Sequence, residues 1–153
     1  MKQKLEKKFW KRFSFFDPEG DIRHTLIPFG FECGNGWFDL LWKLCEDIDK
    51  VLKEEKIRDF EIVQVKEKFA GLRFYPRGAI DKIWKLVAKA EKKSFKICEE
   101  CGRRGRLYGS GCWLKTLCKK CAKKLRAKGY GYYKYKKMQG MIKRFKKEKV
   151  KKL

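Results

Sequence analysis

Cys98-Glu99-Glu100-Cys101 and Cys118-Lys119-Lys120-Cys121 are two Cys-x-x-Cys pairs separated by sixteen residues. That spacing lies within the range of four-cysteine zinc sites and limits what residues 98–121 can fold into. Zinc takes four thiolates in a tetrahedron, and two residues between cysteines let one turn present two of them to one ion. Gly102 follows the first pair and supplies the open backbone conformation such a turn needs. Four thiolates leave no coordination position for a substrate, so the expectation is one structural Zn2+ held by Cys98, Cys101, Cys118 and Cys121. The competing reading is a set of reduced core cysteines or a redox dithiol.

Three cysteines remain. Cys112 lies between the pairs and is read as a spare, since five thiolates cannot share one zinc. Cys45 falls on the apolar face of an expected helix, where a reduced thiol behaves as a small hydrophobe, and Cys33 stands alone. An odd total of seven, with four in tight pairs, suits metal binding in a reducing compartment better than a disulfide framework.

Charge is the second constraint. The net charge is +23, and it is lopsided. From Cys98 onward there are 20 Lys and Arg against 3 acids (Glu99, Glu100, Glu148), so +17 resides in that stretch. Lys enrichment from genome composition or a hot habitat would bring Glu with it. A one-sided excess reads instead as a footprint for phosphates, and nucleic acid, DNA or RNA, is the expected partner. Two clusters stand out: Arg103, Arg104 and Arg106 beside the first metal turn, and Lys119, Lys120, Lys123, Lys124 and Arg126 along the helix expected from Leu117 to Lys128. The run Tyr130-Gly131-Tyr132-Tyr133-Lys134-Tyr135-Lys136-Lys137 interleaves rings with ammonium groups, a pattern that stacks bases while neutralising phosphates. Its alternative is a solvated tail.

Turn, hairpin and a helix carrying two ligands make a treble-clef-like finger. The segment Thr116-Leu117-Cys118-Lys119-Lys120-Cys121-Ala122-Lys123-Lys124-Leu125, with Trp113 upstream, resembles the finger of GATA-type DNA-binding proteins, though its gap is slightly short. The resemblance implies the finger's shape more than its base specificity. The runs Ile27-Pro28-Phe29-Gly30-Phe31-Glu32-Cys33-Gly34-Asn35-Gly36-Trp37-Phe38-Asp39-Leu40 and Gln64-Val65-Lys66-Glu67-Lys68-Phe69-Ala70-Gly71-Leu72-Arg73-Phe74-Tyr75 resemble small bacteriophage and prophage proteins. Those proteins also end in a Cys pair, a Trp and a Thr-Leu-Cys segment. The likeness spans residues 22–121; it implies a viral setting and no activity.

Ahead of the finger the pattern is α+β: two helices packed on a small antiparallel β-hairpin sheet. Trp37, Leu41, Leu44, Cys45, Ile48, Val51 and Leu52 recur at helical spacing, with Asn35 as candidate N-cap. Phe60 to Val65 and Leu72 to Tyr75 read as the hairpin, closed by Pro76. Ile80, Ile83, Trp84, Val87 and Ala90 share one face of a helix over 79–93, so Trp37 and Trp84 are expected in the core. A short helix is expected within Lys2 to Phe16, and Gly30, Gly34 and Gly36 read as turn glycines. The organisation expected is a basic, aromatic segment (1–21), the α+β domain (22–97), the finger (98–128) and a basic tail (129–153), part helical between Met138 and Val150.

An enzyme finds little support. The finger lacks the His of treble-clef nucleases, and His24, the chain's single histidine, is followed by Thr25 and Leu26 rather than a deaminase's His-x-Glu. A metal-dependent nuclease using Asp17, Glu19, Asp21 and Glu32 remains as a second alternative. The first alternative is a viral accessory protein that binds a host or viral protein through an apolar face around Trp37 and the hairpin. The first residues hold no apolar stretch of signal-peptide length, and no run approaches about 18 apolar residues. The expectation is a cytoplasmic protein with no membrane partner.

Overall fold

The computed structural model describes residues 1–110, 113–129 and 133–134. Among these, α1 (Gln3–Arg12) precedes an irregular stretch containing single 3-10 turns at Ile27–Phe29 and Asn35–Trp37. Then come α2 (Phe38–Glu54), strands β1 (Glu61–Lys68) and β2 (Gly71–Arg77), and α3 (Asp81–Ser94). The cysteine-rich part follows as β3 (Arg106–Ser110), β4 (Trp113–Leu117), α4 (Lys119–Ala127) and β5 (Tyr133–Lys134). The chain is α+β, with β1 and β2 paired antiparallel in one sheet and β4-β3-β5 in another.

The core is built around α2. Leu41, Leu44, Cys45, Ile48 and Val51 repeat at three and four residues and are all buried. They meet Ile62, Val65, Leu72 and Phe74 from the hairpin and Ile83, Val87 and Ala90 from α3. Residues 1–21 belong to the same cluster through Phe9, Phe13, Phe15 and Phe16. Phe9 packs edge-on against Phe31, Phe38 and Trp42 at centroid distances of 5.1 to 5.2 Å, the geometry that aromatic quadrupoles favour. Burying each such ring contributes about 1.5–3 kcal/mol.

Four local expectations are corrected. The first helix stops at Arg12, because Phe13 turns extended and the rings of Phe13, Phe15 and Phe16 then reach the core from an irregular segment. Asn35 does not cap α2; Trp37 occupies that position, and Asn35 Oδ1 accepts the Lys2 N–H at 2.8 Å. Strand β2 runs through Pro76, opposite Ile62 where the register shifts, and a two-stranded sheet has an outer edge where the missing N–H costs no ladder bond. Trp84 is 45% exposed. The buried line of α3 is Ile83, Val87, Ala90 and Ser94, a narrow stripe that leaves Trp84 and Ile80 on its flank.

The open edge of β1 is covered by residues 25–32. Leu26 N–H donates to Val63 O at 2.7 Å, Glu32 N–H to Val65 O at 3.0 Å, and Glu67 N–H to Glu32 O at 2.9 Å. These bonds bring the segment that follows, Cys33 to Trp37, against the cysteine-rich part. No helix among the described residues is long and apolar enough to cross a membrane.

Candidate metal centre

Cys98 and Cys101 flank a tight turn in which Gly102 N–H donates to Cys98 O at 2.8 Å and Cys98 N–H to Arg103 O at 2.7 Å. Gly102 sits at φ +75°, a conformation a side chain would strain. The β3–β4 hairpin follows, and Cys118 then caps α4, its Sγ accepting the Cys121 N–H at 3.4 Å. One residue is thus both metal-ligand candidate and helix cap. A one-turn offset inside α4 swings Cys121 to the same side.

The ligand atoms of Cys98, Cys101, Cys118 and Cys121 all lie within 4.8 Å of one another. Cys101 Sγ and Cys118 Sγ are 3.7 Å apart, too far for a disulfide and close to the ~3.8 Å edge of a tetrahedron with Zn–S bonds of about 2.3 Å. The donor set therefore fits one tetrahedral metal ion. Among the described residues no other group of three or more His, Cys, Asp or Glu side chains converges in this way.

Electrostatics around the four thiols are uneven. Burial raises Cys101, but hydrogen bonds from the Arg103 side chain and backbone, and from the Cys98 and Cys121 thiols, outweigh it and bring its pKa down to about 6. Arg103 Nε lies 3.4 Å from Cys101 Sγ. Cys98 is raised chiefly by burial, against backbone hydrogen bonds from Cys118, Cys101 and Glu100. Burial and the neighbouring thiols push Cys121 up as well. Cys98, Cys101, Cys118 and Cys121 would hold a dication here, and its charge would favour the thiolate form of all four.

Residues outside the four cysteines seat this centre on the body, and sequence reasoning missed them. Gly36 N–H donates to Glu99 O at 2.7 Å, and Trp37 Nε1 donates to Ile97 O at 3.0 Å. The Glu99 carboxylate, 2% exposed, accepts Gly34 N–H at 2.9 Å on one oxygen and Lys115 Nζ at 3.0 Å on the other. Thr116 Oγ1 donates to Ala70 O at 2.7 Å, in the turn of the β1–β2 hairpin. A Cβ on Gly36 would meet Cys98 O at 2.2 Å and the amides of Gly102 and Cys101 at 2.4 and 2.6 Å. Gly34 and Gly36 are therefore more than turn residues: they let two backbones touch. Glu99 carried one available signal, an acid in a stretch almost free of acids.

The cations expected to meet a partner are all exposed where described: Arg103, Arg104, Arg106, Lys119, Lys120, Lys123, Lys124 and Arg126. On the body, Arg12, Arg23, Lys43, Lys53, Arg77 and Lys82 each pair with an acid. In the cysteine-rich part Lys115 pairs with Glu99 and, at 3.9 Å, with Glu100. Tyr133 and Lys134 form β5 against Gly109 and Tyr108. Tyr130, Tyr132, Tyr135, Lys136, Lys137, Cys112 and the helix expected after Met138 lie outside the described residues.

Other candidates are engaged elsewhere. Asp21 grips Arg23 Nε and Nη2 at 2.9 and 2.6 Å, Asp17 Oδ1 accepts Glu19 N–H at 3.1 Å, and Glu32 accepts Gln64 Nε2 at 2.8 Å, so these acids do not converge as a nuclease site would require. Trp37 is fully buried and presents no surface to a partner protein. Cys33 and Cys45 are buried; burial lifts the Cys33 thiol to about 12 and Cys45 well above its ordinary value. Comparison with models of protein families, with curated proteins and with solved structures returns no match.

Proposed function

We propose that this chain is a non-enzymatic nucleic-acid-binding protein in which Cys98, Cys101, Cys118 and Cys121 hold one structural zinc ion. In this reading the four-cysteine part is a treble-clef-like finger, the metal braces its turn and helix, and the body is the scaffold on which the finger rests. Zinc is favoured over other ions because four thiolates with no open position suit a soft-tolerant, redox-inert dication.

The observation that carries the reading is the one-sided charge of the cysteine-rich part. Residues 98–129 hold 10 Lys and Arg against 2 acids, Glu99 and Glu100, which both lie beside Lys115, and Arg104, Arg106, Lys119, Lys120, Lys123 and Lys124 are exposed with no acidic partner among the described residues. Holding like charges on one small, metal-braced unit costs Coulomb energy that a polyanion recovers by releasing counterions. Arg guanidinium forks suit phosphate oxygens in bidentate geometry, and the tail adds rings and further cations. A viral setting accords with the sequence likeness of residues 22–121.

The test is a binding titration of the zinc-loaded protein against duplex DNA, single-stranded DNA and RNA at several salt concentrations. Affinity is expected to fall steeply, with a log–log slope of about −0.9 per phosphate contact on duplex DNA. A flat salt response would sink the reading.

A further inference from the structure

The hairpin β1–β2 has a face that the core does not use. Val65, Leu72 and Phe74 are buried, so the residues that alternate with them, Lys66, Arg73 and Tyr75, stand on the opposite face. Tyr75 is 39% exposed, and Lys66 Nζ lies 5.4 Å from the centre of its ring. Lys66 is directly across from Arg73, and like charges opposite one another weaken a strand pair. Lys68 continues the row, exposed, with its Nζ 5.5 Å from the Phe69 ring centre. Lys66, Lys68 and Arg73 have no acid within ion-pair distance among the described residues. The acids at the rim are engaged: Glu61 pairs with Arg77, and Glu32 accepts Gln64 Nε2 at 2.8 Å.

The turn that ends this face is strained. Phe69 and Ala70 are its central residues, and both have positive φ, +53° and +64°. Two-residue hairpin turns of this kind favour Asn and Gly, because a bulky side chain makes the left-handed region costly. Ala70 is buried and its carbonyl accepts Thr116 Oγ1 at 2.7 Å, so seating against the finger accounts for it. Phe69 is 50% exposed, and burial in the core does not account for a ring there. A strained, half-exposed aromatic in a place that Gly or Asn would fill at lower cost points to a contact outside the chain.

Rings and cations in one row select the partner. An acidic protein surface would answer the charge and leave the rings unused. A duplex keeps its bases stacked and paired, and offers such a face only its outer backbone. A single strand supplies phosphates to the cations and base faces to the rings, the mode by which sheets with exposed aromatics hold unpaired strands. Resting on the nucleic-acid reading above but placed outside the finger, we infer that the outer face of β1–β2 is a second contact surface. It stacks bases of a single strand on Tyr75 and Phe69 and neutralises phosphates with Lys66, Lys68 and Arg73. The body is then a reader of the strand as well as a support for the finger.

The test uses the full-length zinc-loaded protein and a bromouracil-substituted single strand of about 12 nucleotides. Irradiation followed by tryptic mapping should find the strand attached to peptide 69–73 or 74–77. In equilibrium titrations Tyr75→Ala should weaken single-strand binding by about tenfold and duplex binding far less, with zinc content unchanged, and Tyr75→Phe should restore it. Phe69→Gly takes the positive φ without strain, so it should weaken single-strand binding by a similar factor while the thermal midpoint holds or rises. A lower midpoint with parental affinity shows that Phe69 serves the fold and overturns the inference. Attachment confined to residues 98–153, or parental single-strand affinity in both Tyr75→Ala and Phe69→Gly, overturns it too and leaves salt-dependent binding by the finger intact. Absence of binding to any strand or duplex at low salt overturns both readings.

Discussion

The amide of Gly36 donates to the carbonyl of Glu99 at 2.7 Å, joining the loop that enters α2 to the turn holding the first two metal-ligand candidates. Around that bond, Trp37 reaches Ile97 O and Gly34 reaches the Glu99 side chain. The cysteine-rich part is therefore seated on the body through backbone contacts, and its stability and metal affinity should respond to residues far from any thiol.

Gly36→Ala should be costly although it adds one methyl. The Cβ has nowhere to go against Cys98 O at 2.2 Å and the Gly102 amide at 2.4 Å, all of it backbone. Overpacking of this kind costs about 1–3 kcal/mol or more. A urea melt should show the drop, and competitive zinc titration should show weaker binding; wild-type values in both would refute the close approach.

Glu99→Ala should destabilise by about 3–5 kcal/mol, because it strips the ion partner from half-buried Lys115 and leaves Gly34 N–H without an acceptor. Glu100→Ala, 3.9 Å from Lys115 and exposed, is the internal control and should stay within about 1 kcal/mol of the parent. Chemical denaturation of the two variants side by side decides it.

Trp37→Phe keeps most of the buried ring but leaves Ile97 O unpaired. The expected loss is about 1–3 kcal/mol, with the Trp37 contribution to the near-ultraviolet circular dichroism gone and zinc stoichiometry retained.

Chelation at neutral pH should remove about one zinc ion per chain and unfold residues 98–129 while the α2-centred core persists, since Cys98 alone of the four cysteines is fully buried. Cys118→Ser should do the same without chelator, because a serine hydroxyl can still accept the Cys121 N–H and cap α4 but does not replace a metal-binding thiolate. Amide hydrogen exchange with and without metal reads this directly; protection of 98–129 that is indifferent to the ion would contradict a structural role.

Cys33 and Cys45 should resist a thiol-modifying reagent in the native state and react fully only in denaturant. Burial disfavours the thiolate in both, and the thiolate is the nucleophile. Mass spectrometry of the labelled protein tells native-state modification apart.

What the sequence by itself determined were features that spacing encodes: the two cysteine pairs, the apolar stripe of α2, the hairpin and the one-sided charge after Cys98. Thiol geometry and helical period act over a few residues, so residue type alone reports them. The tertiary structure alone decided that Gly34 and Gly36 press against the metal turn, that Asn35 serves Lys2 and not α2, and that Trp84 faces solvent. Those outcomes depend on segments distant in sequence meeting through backbone carbonyls and amides. Every residue carries these groups, so no residue type announces them in advance.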